Sequence, residues 1–303
     1  MASPRLPRFK RTGAVAPIQL TERDRDLIRL VHRHRFLRSS HIAALINNDS
    51  QQIRRRLQLL YHHGYMERPR AQLDYYHRPG SRHIVYGLGD KGAALLKQQG
   101  LPIAPLRWGE KNRAVGRIYL EHALLVSEVM VTLELACWRT GVRLLTVEQL
   151  PLPEGTSQRF QWRVNLSGGV KLGVIPDRVF ALDFSDEDRE FKRVFFFLEA
   201  DRGTMPVIRE NLSQTSIYRK LLAYEATWAQ GIHRTRFGFH RFRVLTVTQS
   251  AARVKSLLDA CSCLRSGHGL FLFADRSVLD NPDILFSPIW RSGRGGEMIG
   301  ILE

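Results

Sequence analysis

Residues 51–68 read QQIRRRLQLLYHHGYMER, and the first third of the chain can be read outward from them. Ile53, Leu57 and Leu60 recur at helical spacing, so a helix from Gln51 to His63 turns them inward and leaves Gln51, Gln52, Arg54, Arg55 and Gln58 outside. Gly64 ends that helix, and Tyr65 to Arg68 continues as a strand. Toward the N-terminus, Thr21 caps a helix whose stripe is Leu27, Ile28, Leu30 and Val31, with Glu22, Asp24 and Asp26 at the positive end of its dipole. A second helix spans Ser39 to Ile46, and Asn47-Asn48-Asp49-Ser50 is a turn with its own cap. Toward the C-terminus, a connection rich in Pro, Gly and Arg leads to a strand at His83–Leu88 and a closing helix from Asp90 to Gln99.

Three helices, a two-stranded hairpin and a helix make a winged helix-turn-helix. The pattern RRLQLLYHHGYMER, followed by YGLGDKGAALL at 86–96, resembles the winged-helix domains of bacterial transcriptional regulators over about 80 residues. A helix that enters the major groove must present donors to base edges and phosphates; Gln51, Gln52, Arg54, Arg55, Arg56 and Gln58 supply them. In the wing, Arg68, Arg70, Arg78, Arg82 and His83 are the candidates for the flanking backbone or minor groove. Arg56 has a competing role, packing or pairing with Glu67.

Charge points to the same partner. The chain carries 46 Lys and Arg against 29 Asp and Glu, a formal charge of +17. Residues 1–100 hold 19 of those cations and 7 of those anions, a balance of +12, and the other 203 residues only +5. Arginine dominates the basic third, and its planar fork suits phosphates and guanine edges, so double-stranded DNA is the expected partner. The strongest apolar run, Val194 to Leu198, is far short of the ~20 residues a membrane span needs, and the basic start has no apolar stretch behind it. Three cysteines suit reduced thiols in a cytoplasm.

Residues 101–113, with Pro102, Pro105 and Gly109, read as a linker between a basic tail plus DNA-binding domain (1–19 and 20–100) and a second domain (114–303). The second domain opens on a long helix from Ala114 to Arg139. Strands follow at Leu144–Leu150, Phe160–Val164, Val174–Leu182 and Arg193–Glu199. Next come a helix from Val207 to Gln230, a strand at Phe242–Val247, a helix at Ala251–Cys261 and a strand at Leu270–Phe273. Phe195-Phe196-Phe197-Leu198 is apolar on both strand faces and belongs at the centre of a mixed sheet covered on both sides.

This order resembles the restriction-endonuclease-like, PD-(D/E)XK nuclease fold, so the expected class is α+β: a winged helix followed by an α/β nuclease-like domain. The matching residues are Pro176-Asp177 on the second core strand and Glu199-Ala200-Asp201 on the third. Hydrolysis of a phosphodiester by such a site uses Mg²⁺ or Mn²⁺ held on carboxylate oxygens. Gln214 and Tyr218 form a Q-x-x-x-Y pattern like that of helicase-nuclease domains, expected on one helix face lining the same cleft. In those domains a histidine on the first helix is a further metal ligand, which the resemblance carries to His122, with Glu121 and Glu128 as competitors. Asp201 stands where that signature has a lysine, and Lys220 falls well off the Gln214 to Tyr218 face, so catalysis is left open.

The segments IPDRVFAL, FFFLEADRGT and FSPIWR, taken with the basic winged helix, resemble the plasmid replication-relaxation protein family over residues 20–290. That resemblance implies a DNA-binding protein of a plasmid or integrative element acting in replication, relaxation or mobilisation. Metal-dependent nicking and transcriptional repression are the alternatives. Other replication or mobilisation proteins and a second copy of the chain are the further partners it leaves open. Cys261-x-Cys263 near His268 offers three local ligands, too few for a closed zinc site, and no glycine-rich phosphate loop follows a strand.

Overall fold

The computed structural model describes residues 7–13, 15, 17–47, 50–75, 83–184 and 193–302. It is α+β with a mixed sheet, and it divides into two compact units, residues 1–131 and 132–303.

The first unit begins with α1 (Glu22–His34), where Thr21 and Asp24 form a reciprocal capping box. It continues through β1 (Phe36–Arg38), α2 (Ser39–Ile46), α3 (Ser50–His62), β2 (Met66–Glu67), β3 (Val85–Leu88) and α4 (Asp90–Gln98). The three strands form one antiparallel sheet in the order β1-β3-β2. α2 coincides with the expected helix, while β1, three residues with no alternation to betray them, was not foreseen. Gly64, at φ +85°, turns the chain out of α3 in the left-handed region that glycine adopts without strain.

Residues 101–113 are not an open linker. They contain α5 (Trp108–Arg113), with Trp108, Gly109 and Asn112 buried. Gly109 N donates to Asp90 Oδ1 and Asn112 Nδ2 donates to the Leu88 carbonyl, at 2.9 and 2.7 Å. Arg113 reaches Glu67 at 2.8 Å. The long α6 (Arg117–Thr140) follows, and the division between the units falls within it. Its first turns add Leu120, Ala123 and Leu124 to a cluster with Phe36 and Val85.

The second unit is built on a seven-stranded sheet. Its strands are β4 (Arg143–Leu145), β7 (Arg178–Asp183), β8 (Arg193–Ala200), β9 (Phe242–Thr248), β10 (Phe271–Asp275), β11 (Trp290–Ser292) and β12 (Met298–Ile299). Their order is β12-β11-β10-β9-β8-β7-β4; β8-β9 and β9-β10 are parallel and the other pairs antiparallel. β5 (Trp162–Asn165) and β6 (Lys171–Val174) form a separate hairpin. The expected single strand over Val174–Leu182 is thus two strands, broken at Ile175-Pro176-Asp177.

β8 is an interior strand of the sheet, between β9 at its centre and β7, as its run of phenylalanines requires. Phe195 and Phe197 pack on one face with Trp162, Tyr224, Phe237, Phe239 and Phe242, and Phe196 stacks on Phe180 at 5.1 Å on the other. The first face is covered by α7 (Ile217–Ala229), whose Ile217, Leu221 and Tyr224 point at it, and by α9 (Ala251–Ser262) through Val254, Leu257 and Ala260. The short α8 (Ile232–Thr235) links α7 toward β9.

Candidate functional site

Side chains alternate along β8, so Glu199 falls on the same face as Phe195 and Phe197, beneath α7. A carboxylate there is buried and needs partners. α7 supplies them from one face: Lys220 Nζ lies 2.5 Å from Glu199 Oε2, and Tyr224 OH donates to Glu199 Oε1 at 2.5 Å. The two are four residues apart on the helix and so stand one above the other. Asp177, one residue before β7, extends the ladder by donating its N–H to the Leu198 carbonyl at 3.0 Å, and its Oδ2 accepts from Ala200 N at 2.8 Å.

The electrostatics follow from burial and proximity. Burial pushes the Glu199 carboxyl above its ordinary pKa; the neighbouring Asp177 charge adds to this and Lys220 opposes it. For Lys220 burial works the other way, but the charges of Glu199 and Asp177 outweigh it and hold the ammonium above the usual lysine value. The Tyr224 phenol is driven well up by burial and the Glu199 charge, so it acts as a donor.

Asp201 belongs to a second knot beside the first. Its Oδ2 accepts from Thr248 Oγ1 at 2.9 Å and from Arg253 Nε at 2.8 Å, and its Oδ1 from Gly203 N at 3.0 Å. Arg253 also donates to the Met205 carbonyl, which pins the loop after β8 to α9. Asp201 is therefore neutralised by an arginine from α9. The lysine that does reach this region, Lys220, comes from α7 and pairs with Glu199, although the expected helix phase had turned it away from the Gln214–Tyr218 face.

The remaining expected site residues have other partners. Gln214 precedes α7, which is capped by Ser216, so Gln214 and Tyr218 do not share a helix face. Gln214 accepts from Arg209 at 2.7 Å, and Tyr218 OH donates to the Cys263 carbonyl at 3.2 Å. His122 lies in the first unit, as do its competitors Glu121, paired with Arg117, and Glu128, paired with Arg38. Among the described residues no group of three or more His, Cys, Asp and Glu could hold a metal ion. Both oxygens of Glu199, both of Asp201 and one of Asp177 accept from protein groups. The arrangement thus does not fit an Mg²⁺ or Mn²⁺ ion, which requires open carboxylate oxygens.

In the first unit, α3 buries Ile53, Leu57 and Leu60 and leaves Gln51, Gln52, Arg54 and Arg55 exposed, with Gln58 half-buried. Arg54 folds back on Ser50, donating to its carbonyl at 3.0 Å and its hydroxyl at 2.8 Å. Arg56 has a different role. Its guanidinium forks onto the fully buried Asp24, with Nε 2.5 Å from Oδ1, and reaches the Gln19 carbonyl at 2.7 Å. Its partner is therefore Asp24 rather than Glu67, which instead holds Arg11 and Arg113 at 3.0 and 2.8 Å. Arg68 is also buried. It donates to Tyr86 OH at 2.8 Å and to the Arg8 carbonyl, and it stacks over the Tyr61 ring, so it is turned inward rather than toward a ligand. Arg70 is exposed, and Arg78 and Arg82 lie outside the described residues.

A family model described as Replication-relaxation matches residues 28–241, well over half of the chain and running from α1 to the threshold of β9. The chain belongs to the replication-relaxation family. The match takes in α3, the β5–β6 hairpin, Asp177, Glu199, Lys220 and Tyr224, while Thr248 and Arg253 lie beyond it. No curated protein and no solved structure matches this replication-relaxation chain. Among the described residues no helix is long and apolar enough to cross a membrane.

Proposed function

We propose that this member of the replication-relaxation family is a DNA-binding protein of a plasmid or integrative element, acting at a duplex site in replication or relaxation. The observation that carries the reading is the outer face of α3: Gln51, Gln52, Arg54 and Arg55 stand exposed on a helix whose opposite face is buried. The order α1-β1-α2-α3-β2-β3 and the antiparallel sheet β1-β3-β2 support a winged helix with α3 as its reading helix. The second unit supports a PD-(D/E)XK-like scaffold: β4, β7, β8 and β9 are adjacent, with the first two pairings antiparallel and the last parallel. Titration of duplex DNA at several salt concentrations, with no divalent metal, tests the reading. Tight and steeply salt-dependent binding is expected, lost in Arg54→Ala/Arg55→Ala. Unchanged binding by that variant removes α3 as the reader.

A second reading, a metal-dependent endonuclease or nickase, is favoured by one observation: Lys220 brings an ammonium to Asp177 and Glu199, where the nuclease signature has its lysine. The closure of Glu199 by Lys220 and Tyr224 weighs against it. Nicking of supercoiled plasmid in Mg²⁺ or Mn²⁺ that disappears in Asp177→Ala and Glu199→Ala would establish this second reading.

A further inference from the structure

The second unit carries only a small share of the excess charge, but part of it is concentrated. A groove of about 910 Å³ runs along the β5–β6 hairpin. Five cations line it, Arg159, Arg163, Lys171, Arg219 and Arg236, and no carboxylate does. Arg159, Arg163, Lys171 and Arg236 are exposed, and among the described residues none of the five is in an ion pair. Three arginines of this unit are matched by contrast: Arg143 and Arg193 share Asp183, and Arg253 holds Asp201. Unmatched cations facing one groove repel one another, and a polyanion relieves that repulsion.

The hairpin's geometry shapes the groove. Trp162, Val164, Leu172 and Val174 turn inward, and Trp162 Nε1 donates to Thr227 Oγ1 on α7 at 2.8 Å, which fixes the hairpin to the helix. The opposite face then carries Arg163 and Lys171 outward. Arg163 stands across from Gly173, and a Cβ built on Gly173 meets nothing within 4 Å. A glycine facing an arginine leaves room for a backbone to approach the strand. Two cations come from elsewhere. Arg236 follows α8 and is held by the Gln161 carbonyl at 3.0 Å; Arg219 lies on α7, immediately before the Lys220 that meets Glu199. Ile175, 64% exposed and two residues before Asp177, also lines the groove.

From this we infer that the β5–β6 groove is a second DNA-binding surface, which holds the phosphodiester backbone of a strand in addition to the contacts of α3 and leads it toward the Asp177–Glu199–Lys220 cluster. The inference rests on the proposed function only in taking DNA as the partner. Phosphate contacts carry no sequence information, so this surface adds affinity and salt dependence in equal measure on any sequence.

The test uses the full chain and two oligonucleotides of one sequence, single-stranded and duplex. Arg159→Gln/Arg163→Gln/Lys171→Gln removes three cations for which no side-chain bond occurs among the described residues. Each lost phosphate contact lowers the slope of log K against log salt by about 0.9 on duplex or about 0.7 on a single strand, so a drop of roughly 2 to 3 is expected. Gly173→Glu, built into open space, is a second variant and should weaken binding by repulsion without removing any cation. The Arg54→Ala/Arg55→Ala variant separates the two ideas. If that variant alone loses binding while the triple variant and Gly173→Glu keep the unaltered slope, the groove is overturned and α3 stands as the reader. If the groove variants lower the slope and the α3 variant binds as before, the groove stands and the α3 reading fails. Failure of the unaltered chain to bind either oligonucleotide overturns both.

Discussion

The Lys220 ammonium rests 2.5 Å from Glu199 Oε2, joining α7 to the end of β8 at the point where the chain leaves the sheet. Glu199 is 6% exposed, and removing Lys220 strands a buried carboxylate with a single donor, Tyr224. Breaking a buried pair from one side costs about 3–5 kcal/mol, and the partly exposed lysine moves the expectation for Lys220→Met to about 2–4 kcal/mol. Adding Glu199→Gln to it should recover much of the loss, because the neutral amide needs no counter-charge and still accepts from Tyr224. Denaturant unfolding of the single and double variants measures both. If Lys220→Met were neutral, the pair would have no part in closing α7 onto the sheet.

Arg54, Arg55 and Arg56 are adjacent in sequence, yet the structure assigns them different work. Arg56 makes a bidentate contact to Asp24, which is fully buried and also closes the capping box of α1; the Arg56 and Thr21 bonds outweigh burial and hold that carboxyl below its ordinary pKa. Arg56→Ala is therefore expected to cost about 3 kcal/mol. Arg54→Ala and Arg55→Ala, at exposed positions, should stay within about 0.5 kcal/mol while carrying the loss of DNA affinity. Thermal unfolding beside DNA titration of the three single variants separates the roles; equal destabilisation by all three would contradict it.

Gly92 offers a case where two effects oppose. It lies inside α4, and alanine at a helix interior position normally gains up to about 1 kcal/mol over glycine. Here a Cβ would run into the Tyr65 carbonyl oxygen and meet Leu88 Cδ1 at 3.0 Å. That carbonyl cannot move freely, because it accepts from Gly89 N at 3.0 Å while Lys91 N holds Gly64 O at 3.2 Å. Backbone contact wins over propensity, so Gly92→Ala should destabilise the first unit by more than about 2 kcal/mol. A rise in melting temperature would show that α4 can lift from the 64–65 turn.

The same particulars show what could be read in the residues alone. Four consecutive apolar residues at 195–198 announced a strand covered on both faces, because that pattern has one dominant physical cause, and β8 is such an interior strand. The start of α7 was not announced in this way, since Ser213, Thr215 and Ser216 are all chemically fit to cap it and only Ser216 does. Starting the helix at Val207 put Gln214 and Tyr218 on one face and hid Lys220. A readable signal was nevertheless present. Ile217, Leu221 and Tyr224 are the sheet-facing stripe, and Lys220, three residues after the first and four before the last, lies on its edge. Arg56 and Arg68 were harder, because an arginine on a basic helix or wing is indistinguishable in sequence from one that serves a buried acid or stacks between tyrosines.

His41, in α2, gives the first unit a dependence on pH. Burial, with Arg38 adding to it, pushes its imidazole down to about 4; Glu128 opposes the shift, and His34 and His83 reinforce it. Among the described residues its buried Nδ1 has no hydrogen-bond partner. The folded value lies below the ordinary 6.5, so between those two the unfolded chain binds a proton that the folded chain does not. Stability from this residue is fully present above pH 6.5 and is lost as pH falls toward about 4. The full loss is on the order of 3 kcal/mol. Comparing His41→Gln with the unaltered chain isolates it: the stability difference should move in favour of the variant through that window and level off on either side. Parallel pH profiles for the two proteins would mean that His41 is protonated as readily folded as unfolded.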